Sequence, residues 1–243
     1  MTKLIFVDVG SHEAQEFQAL FLHGRRQYFH HWVKHLNRIR RAGGEACNRA
    51  CYKTLLSDAD FLKAHRSDVA YILVEPNARL CALETYRAAD LTCNFALAAE
   101  PKVAALNRLF YSSQDRMGQG SSLFVEKPNV DTADFDWVLT IDPHRFAKEI
   151  AKAYSGDDKT TKIILRINNE GAEDDVIKAF HTVFGDRLVA VMGSLSDVEK
   201  VKGAEALDGL YRYIADAGIP FIPLHSDFAT WPKAIAFVRS QLA

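Results

Sequence analysis

The densest reactive chemistry in this sequence lies where one apolar stretch ends, at Ile167-Asn168-Asn169-Glu170-Gly171-Ala172-Glu173. Side chains alternate along a strand, so Asn168 and Glu170 can point the same way from its end. A carboxylate there can act as general base toward a hydroxyl or, with an amide oxygen beside it, ligate a hard divalent cation. Gly171 permits a tight turn, and Glu173 would open the next helix, where acids also serve as plain helix-terminal charges. A second cluster, Asp8, Gly10, Ser11 and His12, follows the apolar run Leu4–Val9. Strand, Gly-containing turn and helix start form the corner where backbone N–H groups and a positive helix end gather around a nucleotide. One glycine fits a purely structural turn equally well. Weight comes from Glu75, which ends the run 69–74, because an acid at that edge can accept hydrogen bonds from ribose hydroxyls. Its plainer reading is a surface acid before Pro76.

These residues need a sheet to position them. Strands are expected at 4–9, 69–74, 90–98, 136–141, 161–167, 187–192 and 220–224, from short runs rich in Val, Ile, Leu and Phe. Helices are expected at 143–154, 174–183, 198–217 and 232–242. Alternating strands and helices argue an α/β fold with a doubly wound, mostly parallel, Rossmann-like sheet. Roughly sixty residues separate Val9 from Ala70, more than one crossover helix uses, which implies a helical insertion at about 25–68. Eight Lys and Arg fall between Arg25 and Lys53 against one acid, Glu45, with His23, His30, His31 and His35 nearby. Apolar residues recur there at helical period, so the charges decorate amphipathic helices.

The chain has 243 residues, 48% hydrophobic and 25% charged, with net charge −1. That suits one domain with a large core. No apolar run approaches the ~20 residues of a membrane span. The first strand begins directly after Met1-Thr2-Lys3, leaving no room for a signal peptide, so a cytoplasmic protein is expected. Cys47, Cys51, Cys81 and Cys93 show no secreted-scaffold spacing and read as reduced thiols. Near-neutral charge and the lack of an aromatic-basic motif argue against nucleic acid.

Val7-Asp8-Val9-Gly10-Ser11, Leu73-Val74-Glu75-Pro76-Asn77 and 167–173, in this order, resemble the FkbM-type S-adenosylmethionine-dependent methyltransferases; so do Gly120-Ser121-Ser122-Leu123 and Val138–Asp142. The resemblance covers roughly 4–24 and 69–195. It implies a class I methyltransferase domain spanning 1–243 that uses S-adenosyl-L-methionine and methylates hydroxyls of sugars, glycans or related natural products. It implies that Asp8, Gly10 and Ser11 meet the methionine part of the cofactor and Glu75 its ribose, with Asn77, Asn94 and Ala96 near the adenine. Asn168, Glu170 and Glu173 would face the acceptor. Two positions depart from the family: Asn168 stands where Asp is frequent, which disfavours a metal, and His12 follows Ser11 where a second glycine is common.

Methyl transfer to a hydroxyl needs alignment and a proton acceptor; Glu170 is the first candidate, with His12 and Glu173 in reserve. A nicotinamide oxidoreductase shares the strand, turn and acid, but Gly10-Ser11-His12-Glu13-Ala14 is no G-x-G-x-x-G and Glu75 lies far beyond ~20 residues downstream. A non-catalytic nucleoside-binding protein is the other alternative. The basic run points to an anionic acceptor drawn by several cations. Replacing Arg38, Arg40 and Arg41 together by Ser is therefore expected to raise the acceptor's KM and flatten its salt dependence, leaving cofactor affinity alone. Wild-type acceptor kinetics at both low and high salt would make these helices a solvated surface only.

Overall fold

The computed structural model describes residues 2–22, 49–99, 104–112, 120–156, 159–224 and 230–243. In chain order these form β1 (Leu4–Val9), α1 (Gln15–Phe17, running on as a π-helical turn Gln18–Leu22), α2 (Arg49–Ala64), β2 (Val69–Val74), α3 (Ala78–Cys81), α4 (Glu84–Arg87) and β3 (Leu91–Cys93). There follow β4 (Ala96–Leu97), β5 (Ala104–Ser112), β6 (Val130–Ile141), α5 (Pro143–Ile150), β7 (Lys162–Ile167), α6 (Glu173–Phe184), β8 (Leu188–Gly193), α7 (Ser196–Lys202), α8 (Ala204–Asp216), β9 (Phe221–Pro223) and α9 (Trp231–Leu242).

The main sheet has the order β3-β2-β1-β7-β8-β9, with every neighbouring pair parallel. Parallel strands need helical crossovers on both faces, and a sheet covered on both faces is apolar on both. β1 is accordingly buried at all six positions. Leu4 and Phe6 face one layer with Phe17, Tyr71, Ile164, Ile235 and Val238. Ile5, Val7 and Val9 face the other, with Phe146, Leu165, Val176, Phe180 and Val191. The chain builds outward from β1 through β2 to β3, then returns to lay β7, β8 and β9 on the opposite side. Their carboxyl ends diverge at β1 and β7, the switch point where such sheets bind ligands.

A second, three-stranded sheet has the order β4-β6-β5, with β5 and β6 antiparallel and Leu106 opposite Leu139. Ala96, Leu109 and Val138 bury its inner side against Leu123. This sheet was not expected. The strand read at 90–98 is in fact two: β3 ends at Cys93, and the chain crosses to the second sheet at Ala96. There Asn94 Nδ2 donates to the carbonyls of Glu75 and Pro76, at 3.0 and 2.9 Å, which holds the crossing. β6 starts at Val130, six residues before the expected strand, because its outer half is exposed and polar (Asp131, Thr132, Asp134). The helix expected at 198–217 is interrupted at Gly203.

Helix α2 leads into β2 and packs on α9, where Asp58 pairs with Arg239 and Ala59 and Leu62 join the core of Ile235 and Val238. Ala59 and Leu62 of α2 thus belong to the main core, whereas the basic and histidine-rich stretch 23–48 lies outside the described residues. No helix among the described residues is long and apolar enough to cross a membrane.

The three central strand exits touch. A Cβ on Gly10, at φ +71°, would fall 2.0 Å from the Asn168 carbonyl oxygen, and one on Gly193, at φ +140°, would fall 1.9 Å from that of Ile167. Neither contact can be relieved without moving β7. Gly10→Ala is therefore expected to destabilise the fold by about 3 kcal/mol or more. Urea unfolding measures this, and a loss under about 1 kcal/mol would show that the exits separate easily.

Candidate functional site

The turn after β1 is held by β2 rather than open to a ligand. The Gly10 and Ser11 N–H groups donate to the Val74 carbonyl at 2.9 and 3.3 Å. That of His12 donates to Glu75 Oε2 at 2.8 Å. The Ser11 hydroxyl meets Tyr86 Oη at 2.9 Å, and Tyr86 donates in turn to the His12 carbonyl. His12 and Ala14 sit at positive φ, 48° and 56°, and α1 is only three residues long. The expected gathering of N–H groups at a helix end is corrected here, because Gly10, Ser11 and His12 already satisfy theirs within the protein.

Glu75 closes β2 with both carboxylate oxygens accepting N–H groups, from His12 and, at 2.9 Å, from Asn77. Burial raises its pKa, opposed by those two hydrogen bonds and by Arg166. Asn77 accepts from the Arg79 N–H and so caps α3, while Asn94 and the Cys81 thiol both donate to the Glu75 carbonyl. Asn77 and Asn94 therefore shape the turn that presents Glu75.

Asp8 is fully buried and paired across the sheet. In the register of β1 and β7 it lies opposite Arg166. The guanidinium reaches Asp8 Oδ1 at 3.1 Å, the Gly10 carbonyl at 2.7 Å and Glu16 Oε1 at 2.9 Å. Tyr71 donates its hydroxyl to Asp8 Oδ2 at 3.1 Å. With two acids around one cation, burial pushes the Asp8 pKa up, and Arg166 and the Tyr71 hydrogen bond oppose this.

Asn168 and Glu170 come together, the amide donating to Glu170 Oε1 at 3.2 Å, but in the turn after β7 ends at Ile167 and not by the expected strand alternation. Glu170 occupies the left-handed region at φ 63°. Its Oε2 pairs with Lys127, whose ammonium also donates to the Gly120 carbonyl at 3.0 Å and lies 3.5 Å from Asp197. Glu173 sits behind this group, fully buried. Its Oε2 accepts the Gly171 N–H at 2.9 Å and its Oε1 has no partner among the described residues.

A cavity of about 480 Å³ opens over the switch point. Gly10, His12, Glu16, Glu75, Arg166, Asn168 and Glu170 line its floor. Phe95, Ala96, Leu97, Leu109 and Leu123, from the second sheet and its loops, form an apolar wall, and Leu224 and Trp231 also line the cavity. Of the expected residues, Gly10, His12, Glu75, Ala96, Asn168 and Glu170 line the cavity, while Asp8, Ser11, Asn77, Asn94 and Glu173 support it from behind. Three lining carboxylates, Glu16, Glu75 and Glu170, face one lining cation, Arg166. Among the described residues no group of three or more His, Cys, Asp or Glu is arranged to hold a metal. No protein-family model, curated protein or solved structure matches this chain.

Sequence reasoning missed Arg166, Glu16, Tyr71 and Lys127. The first had a signal: Asp8 is the one acid in the buried run Leu4–Val9, and Arg166 is the one base inside 163–167, beyond the half-buried Lys162 that opens that strand, so two buried opposite charges are expected to pair. Lys127 had none, being 43 positions from Glu170.

Burial, with Asp197 and Glu170 adding to it, pushes the Glu173 carboxyl up to about 7. The folded protein then keeps a proton that the unfolded chain releases above about pH 4.5, so this group's contribution to stability falls as pH rises from there to about 7. The loss is about 3 kcal/mol. Glu173→Gln, neutral throughout, is expected to flatten stability against pH in that window in urea titrations. An unchanged slope would mean that Glu173 does not hold the proton.

Proposed function

We propose that this protein is an S-adenosylmethionine-dependent methyltransferase acting on a hydroxyl of a sugar, glycan or related acceptor. The observation that carries the reading is the charge of the cavity: carboxylates outnumber cations on its walls at the switch point of the sheet. A ligand bearing a sulfonium and an ammonium group suits such walls. A dinucleotide does not, because its pyrophosphate needs donors and the turn's N–H groups at Gly10, Ser11 and His12 are engaged. That argues against the nicotinamide reading on independent grounds. The apolar side formed by Pro76, Phe95, Ala96 and Leu97 suits an adenine ring, and Glu75 also lines the cavity, each of its oxygens already accepting one N–H and keeping a second lone pair that a ribose hydroxyl could use.

When bound, the cofactor would supply an activated methyl group for in-line displacement. The chain's own task is to fix the acceptor oxygen and take its proton as charge develops. We assign this to Glu170, which lines the cavity and accepts a hydrogen bond from Asn168. His12 lines the cavity and is the reserve; Glu173 lies behind Gly171 and supports the turn.

Calorimetry is expected to show binding of S-adenosylmethionine and S-adenosylhomocysteine but not NAD. Glu75→Gln should weaken both by about 1.5–3 kcal/mol, as a hydrogen bond to a charged group implies. Transfer of labelled methyl into a panel of sugars, nucleotide sugars and glycans identifies the acceptor. Glu170→Gln should then lower kcat about 100-fold or more with cofactor affinity nearly unchanged. NAD binding in place of the adenosyl compounds would overturn the reading, and cofactor binding without transfer would leave a nucleoside-binding protein.

A further inference from the structure

We propose that Lys127 is a positioning residue for Glu170: from the connection between β5 and β6 its ammonium pins the carboxylate, keeping it ionised and turned to the Asn168 side of the cavity. Its meaning for catalysis rests on the methyltransferase reading; the electrostatic relation itself does not.

The Lys127 side chain is only 2% exposed, and a buried ammonium is costly unless its donors are met. They are met by three separate parts of the fold. Glu170 belongs to the turn between β7 and α6, Asp197 to α7, and the Gly120 carbonyl to Lys127's own connection. A second tie joins the same two loops, with the Ser122 hydroxyl donating to the Glu170 carbonyl at 2.7 Å. Together they hold Glu170 at positive φ, a conformation a non-glycine residue keeps only when its surroundings enforce it. An apolar side chain would fill this buried place with no charge to satisfy. What an ammonium adds is control over the charge and direction of one carboxylate.

Among the described residues, charged groups from four parts of the fold bear on Glu170. Lys127 comes from the β5–β6 connection, Asp197 and Lys200 from α7, Glu173 from α6 and Glu75 from the end of β2. Burial and Asp197 favour a proton on Glu170, while Lys127 and Lys200 oppose it. Removing the Lys127 charge therefore raises the pH at which Glu170 ionises, and removing Asp197 lowers it.

The test is a carboxyl-carbon NMR titration of the full chain without cofactor, with selectively labelled glutamate and the Glu170 signal assigned by its loss in Glu170→Gln. Lys127→Met should move the midpoint upward by about one unit or more, the size of a close opposite charge. Lys127→Arg should return it most of the way, and Asp197→Asn should move it downward. An unchanged midpoint in folded Lys127→Met, or Lys127→Arg as displaced as Lys127→Met, overturns the proposal. If Lys127→Met does not fold, Asp197→Asn decides, because it keeps the lysine and removes its competing acid; no downward shift there also overturns the proposal. With an acceptor in hand, the acid limb of kcat against pH should follow the same order, and an unmoved limb would reduce Lys127 to a structural pin. Failure to bind S-adenosylmethionine would overturn the methyltransferase reading while leaving the titration to decide the relation between Lys127 and Glu170.

Discussion

The buried guanidinium of Arg166 is the contact on which the cavity edge of this protein depends. It stands in the central strand β7, directly across from Asp8 in β1, and ties that acid, the Gly10 carbonyl and Glu16 to one point. Those three groups belong to the end of β1, the turn after it and the first helix, so one side chain sets how the chain leaves the sheet. Replacing such a network by apolar residues often costs a fold nothing, whereas removing one partner leaves buried charges exposed to each other. Its presence at the switch point, where ligands bind, is thus better explained by the charge it leaves there than by stability.

That charge is negative. Arg166 faces two acids, Tyr71 steadies one of them, and Glu75 and Glu170 add further carboxylates around the same cavity. Burial raises the pKa of Asp8, Glu75, Glu170 and Glu173 alike, so keeping these carboxylates charged at one edge of the sheet is costly. A cationic ligand would relieve this crowding, and an anionic one would add to it.

Close packing of the strand exits gives the same region its shape. Gly10 lies against Asn168 and Gly193 against Ile167, so β1, β7 and β8 end as one unit. The second sheet then closes the cavity from above through Leu97, Leu109 and Leu123, and Asn169 binds the Leu97 carbonyl at 2.8 Å to join the two. Rigid strand ends below and a separate sheet above leave a pocket whose walls come from distant parts of the chain.

Local pattern by itself determined the alternating α/β architecture, because strands covered on both faces must be apolar throughout and their crossovers helical. It also determined that Glu75 follows directly on a buried strand, whereas Asn168 and Glu170 meet through the turn after β7, with Glu170 at positive φ, and not through strand alternation. Tertiary structure alone decided the rest. Within the second sheet only the inner half of β6, 136–141, was legible: β5 exposes Leu106 and the outer half of β6 is polar, so neither of these shows the buried-strand signature, and their pairing into a separate sheet was set by packing. Asp8 and Ser11 proved to be bound within the core because their partners, Arg166 and Tyr86, lie 158 and 75 residues away. Lys127 meets Glu170 across 43 residues with no periodicity to announce it. Spacing along a chain reports which way side chains point within one element; which charges end up facing each other is set by how the elements pack.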